Sequence, residues 1–139
     1  KYDGGVLSNQ ASHHIDLVEW FGGKVKSVYA ISRTFGVNIE CEDSSIATLE
    51  FKNGAIGSIE ATTSIRPQNL EGSISLIGSK GYVIIGGKAV NKITDISLEG
   101  ISNEEAEKMV NENSYETDSV YGNGHVAFYK NTFDSHYIT

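Results

Sequence analysis

The sequence predicts an α+β fold, a mostly antiparallel open sheet with helices packed on one face. Residues 4–21 carry apolar side chains at the spacing of one helix face. Several segments of alternating apolar and polar residues follow, rich in β-branched and aromatic side chains, which is typical of strands. Short turn signals such as Asn53-Gly54 join these segments. Connections that short predict antiparallel neighbours.

The first predicted helix covers residues 4–20. Gly22-Gly23 should end it, since glycine readily takes the left-handed conformation that stops a helix. At about 100° per residue, the apolar side chains form an arc broad enough to pack on a sheet. A separate edge presents polar groups and the single tryptophan: Asn9, His13, Asp16 and Trp20. Residues three or four apart are neighbours on a helix, so we expect these groups to lie together.

This polar edge has two interpretations. An imidazole titrates near neutral pH and can move a proton, so His13 could act on a hydroxyl that the Asn9 amide holds. Asp16 could then orient the imidazole ring. Alternatively, His13 and Asp16 form a structural hydrogen bond on a half-buried helix. His14 falls in the apolar arc, which is typical of a core histidine rather than of a ligand.

The clearest hairpin lies at residues 44–65, with Asn53-Gly54 as its turn. A three-residue loop at 52–54 sets Leu49 opposite Gly57. That register gathers one apolar face: Ala47, Leu49, Phe51, Gly57, Ile59 and Ala61. A two-residue loop would mix the two faces, because a slip of one residue turns every side chain over. The longer loop is therefore predicted, with Gly54 in the left-handed conformation.

The other predicted elements are a strand at 24–35, a polar loop at 36–43, a hairpin from 72–78 and 81–86, a strand at 89–98 and an acidic helix at 103–113. Cys41 lies in the polar loop. No histidine or second cysteine lies near it in sequence, so we expect an inert thiol.

Two further groups of side chains are candidates for contact with a ligand. Pro67 ends the hairpin strand because proline has no amide hydrogen to donate. It leaves Arg66 beside two amide side chains, a set of donors for a carboxylate or phosphate; a solvated turn would explain the same residues. His125 and Tyr129 are four apart in a helical pattern and could reach one ligand. Alternatively, they belong to a helix start followed by core aromatics.

Composition limits the classes of partner. The 139 residues suffice for one domain with its own core. Eleven basic against 18 acidic side chains give a formal net charge of −7, which argues against a basic face for nucleic acid or anionic lipid. No apolar run approaches the roughly 20 residues of a membrane span. With one cysteine and no signal-peptide pattern, a cytoplasmic protein is predicted.

The ends of the chain and a missing motif predict that the function is shared with another domain. The chain starts at Lys1 without methionine and ends inside a helical pattern, so we expect residues 1–139 to be one domain of a longer protein. No glycine-rich turn links a strand to a helix as a dinucleotide fold requires. Gly78 and Gly81 lie between two predicted strands and form a hairpin turn instead.

The glycine, histidine and aspartate positions resemble the start of the C-terminal domain in the Gfo/Idh/MocA oxidoreductases. That signature is a glycine run, Asp-x-x-x-His, and an Asp three residues on. Here the matching residues are Gly4-Gly5, Asn9, His13 and Asp16. The resemblance continues through Glu42-Asp43, the turn at 51–54 and residues 78–81, and weakens over residues 99–120.

One departure indicates a branch of the family. Asn9 stands where many members carry aspartate, and the segment NQASHHID is similar to the WlbA-type branch, the UDP-N-acetylglucosaminuronic acid 3-dehydrogenases. The segments RPQNLEGSISLIG, GGKAVNKI and YGNGHVAFY are also similar to that branch.

The resemblance implies a dihydrodipicolinate-reductase-like C-terminal domain that binds a nucleotide sugar and forms homo-oligomers through its sheet face. NAD or NADP, and a catalytic lysine, would belong to an upstream Rossmann domain, so this chain alone should be inactive. His13 would be the proton relay or base, and Asn9 would orient the sugar. The other expected substrate contacts are Asp16, Arg66, His125 and Tyr129.

Two other functions fit parts of the sequence. A metal hydrolase could use His13, His14, Asp16 and His125. The adjacent histidines argue against it, because side chains one residue apart on a helix diverge by about 100°. The second alternative is a non-catalytic sheet module that binds a partner protein, in which Asn9 and His13 would have no role.

Overall fold

The computed structural model describes residues 4–36, 38–68, 70, 72–87 and 90–113 of the chain. The chain divides into two compact units, Lys1–Leu70 and Glu71–Thr139. Within the described ranges, each unit has one helix and one antiparallel sheet of three strands. The α+β prediction is confirmed, with the described strands arranged in two antiparallel sheets.

The first unit holds one helix and a meander of three strands. Its elements are α1 (Ser12–Gly22), β1 (Val25–Arg33), β2 (Ser44–Phe51) and β3 (Ile56–Thr62). The strands pair in the order β1-β2-β3, each antiparallel to the next. The short connection between β2 and β3 favours the antiparallel pairing of these two strands.

Helix α1 begins at Ser12, so the predicted helical start at residue 4 is wrong. Residues 6–10 form a turn instead. The Ala11 amide donates to a carbonyl five residues earlier at 2.9 Å, a wider ring than the α-helix uses. The helix end is as predicted, because Gly23 has φ +83° and its amide closes the last turn.

The predicted register of the β2–β3 hairpin is confirmed. Leu49 pairs with Gly57, as a three-residue loop requires. The Gly54 amide donates to the Phe51 carbonyl at 3.0 Å, and Gly54 has φ +90°. The apolar residues of β2 on this face are buried: Ala47, Leu49 and Phe51. This face forms the core of the first unit.

Helix α1 is attached to the sheet at both ends. At its end, the Asn53 side-chain amide donates to the Gly22 carbonyl at 2.9 Å, beside the hairpin turn. Before its start, the Val6 amide donates to the Glu42 carbonyl at 2.9 Å, just ahead of β2. The helix therefore runs in the same direction as β2, and its first turn lies at the end of the sheet where β2 begins.

The opposite face of the first sheet, which we call the outer face, carries exposed apolar side chains. Tyr29 and Ile31 of β1 lie opposite Thr48 and Ile46 of β2. Their exposed fractions, with that of Ile56 on β3, are large: Tyr29 70%, Ile31 50%, Ile46 59% and Ile56 85%. At one edge, Lys26 and Glu50 form an ion pair at 2.6 Å.

The second unit contains β4 (Ile74–Gly78), β5 (Gly81–Gly86), β6 (Lys92–Leu98) and α2 (Asn103–Glu112). The predicted hairpin between β4 and β5 is confirmed. Strand β6 begins at Lys92, later than the predicted residue 89, because the Val90 amide donates to the Gly87 carbonyl in a turn. The core of this sheet is isoleucine-rich: Ile74, Ile85, Ile93 and Ile96.

Helix α2 confirms the predicted acidic helix. Ser102 caps its start and forms a reciprocal pair with Glu105, in which each side chain accepts from the other residue's amide. Glu104 and Glu105 lie in the first turn, where the helix dipole favours negative charge. The helix packs against β6.

Candidate functional site

Asn9 lies in the segment of residues 5–10, which contains the turn of residues 6–10 and which we call the Asn9 turn. Its backbone amide donates to the Gly5 carbonyl at 3.0 Å, and its side-chain oxygen accepts from the Gln10 side-chain nitrogen Nε2 at 3.3 Å. The Asn9 side chain is exposed. An exposed carboxamide of this kind can both donate and accept a hydrogen bond with a sugar hydroxyl.

His13 follows on the first turn of α1 and is also exposed. The Ser12 hydroxyl donates to the Asn9 carbonyl at 3.0 Å, which ties the turn to the start of the helix. Asn9 therefore lies in a turn and His13 in the helix that follows it, rather than both in one continuous helix. Both side chains are accessible from solvent.

Asp16 is exposed and three residues after His13 on α1. Among the described residues, no hydrogen bond or ion pair joins the Asp16 carboxylate to the imidazole. The hydrogen bond by which Asp16 was expected to orient His13 is therefore not formed in this structure. His14, expected in the core, is half-buried.

Arg66 follows β3 at the end of the sheet where β2 begins. The Thr63 amide donates to the Asp43 carbonyl at 2.8 Å. One guanidinium nitrogen, Nη1, donates to the carbonyls of Thr63 (3.1 Å) and Ile65 (2.8 Å). Arg66 is exposed. Because the Asn9 turn is held at Glu42, next to Asp43, the fold brings Arg66 and the Asn9 turn to the same end of the first sheet.

Asp43 is the polar centre of this end and was not predicted as a functional residue. Its side chain is fully buried, at 0% exposure. Its carboxylate accepts from the Phe35 amide (3.0 and 2.9 Å), the Gly36 amide (2.7 Å) and the Ser44 hydroxyl (3.0 Å). Burial raises the pKa of this carboxyl, but the hydrogen bonds outweigh burial and lower the pKa from 3.8 to about 2. Asp43 thus stays ionised and anchors the loop before β2.

The only sequence signal for this anchor is the pair Glu42-Asp43, two acids between a polar loop and the first residue of a strand. Composition and spacing do not separate such a pair from a solvated turn. His125 and Tyr129 lie outside the described residues, so their predicted contacts stay predictions.

The described residues lack the arrangements that a metal or a dinucleotide requires. The described part of the chain holds no cluster of three His, Cys, Asp or Glu side chains placed to coordinate a metal. Both described sheets are antiparallel, and no described strand leads through a glycine-rich turn into a helix. These residues therefore do not fit the dinucleotide-binding unit that the Rossmann fold uses.

The fold and site define a class: an antiparallel sheet domain with an amide, an imidazole and a guanidinium at one end of the sheet. The chain belongs to the GFO/IDH/MocA C-terminal domain family, whose model matches residues 1–84. The Gfo/Idh/MocA resemblance found in the sequence is thereby confirmed.

Two solved structures are similar over nearly the entire chain. The WlbA dehydrogenase from Bordetella pertussis, in complex with NADH and UDP-GlcNAcA, is 46% identical over 94% of this chain and 37% of its own, with a TM-score of 0.76. The WlbA dehydrogenase from Chromobacterium violaceum, in complex with the same two molecules, is 37% identical over 93% of this chain and 35% of its own, with a TM-score of 0.71. The predicted closeness to the WlbA branch is confirmed. The chain spans a little over a third of either relative.

A levoglucosan dehydrogenase in complex with NADH and levoglucosan shares the fold at 17% identity. It covers 92% of this chain and 39% of its own, with a TM-score of 0.65. Comparison with curated proteins gave no match. No helix among the described residues is both long enough and apolar enough to cross a bilayer.

Proposed function

We propose that this chain is the substrate-binding part of a nicotinamide-dependent sugar oxidoreductase that oxidises a hydroxyl of a UDP-N-acetylhexosamine or its uronic acid. The observation that carries the proposal is the 46% identity, over 94% of this chain, with a WlbA dehydrogenase crystallised with NADH and UDP-GlcNAcA. The placement of the expected polar residues at one end of the first sheet supports it.

His13 is proposed to accept the proton of the sugar hydroxyl that is oxidised. Its imidazole is exposed at the start of α1, and histidine is the side chain that most often serves as a general base. Asn9, tied to the helix start through Ser12, is proposed to orient the sugar by hydrogen bonds. Asp16, one turn further along the helix, would accept hydrogen bonds from other sugar hydroxyls.

Arg66 is proposed to bind a carboxylate or the diphosphate of the substrate. One of its nitrogens, Nη1, is held by two backbone carbonyls, which pre-orients the guanidinium. A guanidinium can bind such anions with two parallel hydrogen bonds. His125 and Tyr129, outside the described residues, are proposed as further substrate contacts from the sequence alone.

The cofactor, NAD or NADP, is proposed to bind mainly to a separate Rossmann domain of the parent protein. The antiparallel sheets described here do not fit a dinucleotide, whereas both WlbA relatives were crystallised with NADH. The nicotinamide supplies the redox chemistry, and the protein positions the substrate and moves the proton. The 139-residue chain alone should then reduce neither cofactor. The single cysteine is consistent with a reducing cytoplasm.

The test uses the full-length protein that contains this chain, UDP-GlcNAcA and either NAD⁺ or NADP⁺, with reduced nicotinamide measured by absorbance. His13→Asn should lower kcat by about 10²-fold or more, the range expected for loss of a general base. Glu19→Gln, an exposed residue of the same helix, should leave kcat unchanged. A wild-type protein inactive on every UDP-N-acetylhexosamine tried would overturn the proposed activity. An unchanged kcat in His13→Asn would overturn only the role of His13.

A second candidate function, a non-catalytic sheet module for protein association, is favoured by the outer face. Its apolar side chains are exposed by half or more, and such patches commonly mark interfaces.

We propose that this face joins copies of the chain in a homo-oligomer. Ile46→Glu in the full-length protein should reduce the sedimentation coefficient, whereas Ile77→Glu on the second unit, 84% exposed, should not. If Ile46→Glu abolishes a binding activity while His13→Asn has no effect on any activity, the module is favoured over the enzyme.

A further inference from the structure

Glu42 holds the Asn9 turn through both its backbone and its side chain. Its carbonyl accepts from the Val6 amide at 2.9 Å, and its carboxylate Oε1 accepts from the Leu7 amide at 3.4 Å. Two consecutive amides of the turn therefore converge on one residue. The Asn9 amide in turn donates to the Gly5 carbonyl at 3.0 Å, so the backbone of Asn9 is tied to the segment that Glu42 holds.

Gly5 provides the space in which the Glu42 carboxylate lies. Gly5 is buried, and a Cβ at this position would overlap the carbon and both oxygens of that carboxylate. Gly5 is not among the glycines with positive φ, so contact rather than backbone conformation excludes a side chain here. The glycine and the carboxylate are therefore complementary in shape.

The main chain next to Glu42 is itself fixed to the sheet. The Asp43 amide donates to the Arg33 carbonyl at 3.1 Å, and the Asp43 carbonyl accepts from the Thr63 amide at 2.8 Å. Its carboxylate accepts from the Phe35 and Gly36 amides inside the protein. The hydrogen bonds of Asp43 thus fix the position of Glu42 relative to the sheet, and Glu42 in turn holds the Asn9 turn.

We infer that Glu42 is a positioning residue that sets the place of Asn9 relative to His13. It acts from the sheet, through the Gly5–Leu7 backbone, on the turn that leads into α1. The effect on catalysis rests on the proposed function, whereas the effect on the turn does not. Because a misplaced contact group weakens catalysis without unfolding the protein, Glu42 should affect substrate binding and turnover more than stability.

The experiment compares Glu42→Ala, Glu42→Gln and the control Glu40→Ala in the full-length protein. Glu40 is exposed two residues away in the same loop. The readouts are amide hydrogen exchange of residues 5–10, the melting temperature, and KM and kcat for UDP-GlcNAcA. Glu42→Ala should speed exchange of the Leu7 and Asn9 amides and lower kcat/KM by about tenfold to a hundredfold. Glu42→Gln keeps an acceptor oxygen and should restore most of kcat/KM.

Gly5→Ala tests the same contact from the other side. Gly5→Ala should change amide exchange and kcat/KM in the same way as Glu42→Ala. The double variant Gly5→Ala/Glu42→Ala should lose little more kcat/KM than Glu42→Ala alone, because the carboxylate that the new methyl group would displace is already absent. Wild-type exchange and kcat/KM in Glu42→Ala would overturn the inference, as would equal losses in Glu42→Gln and Glu42→Ala. If the wild type has no activity on nucleotide sugars, the proposed function fails, and the exchange data alone decide the role of Glu42.

Discussion

The ring of Phe51 fills the space that a side chain at Gly22 would need. A Cβ on Gly22 would lie 2.5 Å from two carbons of that ring. Gly22 is the last residue of α1 and Phe51 the last of β2, so this contact sets how closely the helix end approaches the sheet. The helix that carries His13 is therefore positioned at its far end by a glycine–aromatic contact.

Gly22→Ala should lower the free energy of unfolding by about 1–2 kcal/mol. An overpacked methyl costs about 1–3 kcal/mol, which outweighs the gain of at most about 1 kcal/mol from alanine's helix propensity. Urea unfolding measures the change. The Phe51→Leu variant supplies the control, since Gly22→Ala should cost less in that background than in the wild type. Strictly additive effects would contradict the contact.

Gly54→Ala should destabilise the β2–β3 hairpin by about 1–2 kcal/mol, the cost of a left-handed backbone for an ordinary residue. Gly54 has φ +90°, and apart from its two chain neighbours no described residue lies within 4 Å of a Cβ built there, so the cost is conformational and not steric. Gly54→Asn is the matched variant, because asparagine tolerates the left-handed region. Melting temperature should fall more for alanine than for asparagine. The reverse order would argue against a left-handed conformation at Gly54.

Asp43 should make stability depend on pH in the acid range. Because its folded pKa, about 2, lies below the ordinary 3.8, its contribution is present above pH 3.8 and is lost as the pH falls through about 2. Asp43→Asn should lower the urea midpoint at neutral pH and flatten the fall in stability between these pH values. Urea midpoints measured across that range check this. Identical pH profiles for variant and wild type would contradict the role of Asp43 as an ionised anchor.

Ser102→Ala should destabilise α2 by about 1 kcal/mol, the usual value of an N-cap. Removing the hydroxyl leaves the Glu105 amide without its acceptor, whereas the Ser102 backbone amide can still donate to the Glu105 carboxylate. Ser102→Thr retains a hydroxyl and should keep most of the stability. Amide exchange in the first turn of α2 reports the change. Equal exchange rates in the alanine and threonine variants would show that the cap contributes little.

Arg66→Ala should raise KM for UDP-GlcNAcA by about tenfold with a smaller change in kcat, because it removes a charge-assisted contact made throughout the reaction. Arg66→Lys keeps the charge but not the two parallel hydrogen bonds, so it should recover only part of the loss. Steady-state kinetics at two salt concentrations measure the effect. A KM unchanged in Arg66→Ala would place the anion-binding group elsewhere in the protein.

The elements that the sequence predicted well depend on neighbours in the chain. The register of Leu49 with Gly57 follows from alternation and an Asn-Gly turn, and the end of α1 follows from two glycines. The start of α1 was missed because apolar spacing continues through residues that form a turn. The placement of Arg66 and Asn9 at one end of the sheet depends on hydrogen bonds between residues far apart in sequence.

By itself, the sequence determined the α+β class, the buried face of the β2–β3 hairpin, the helix stop and the family, because each depends on local spacing or on a motif read residue by residue. Only the tertiary structure showed that Asn9 stands on a turn held by Glu42, 35 residues beyond Leu7. It also showed that Asp43 is a buried, ionised anchor. Such contacts form between segments that folding brings together, so no local sequence pattern predicts them.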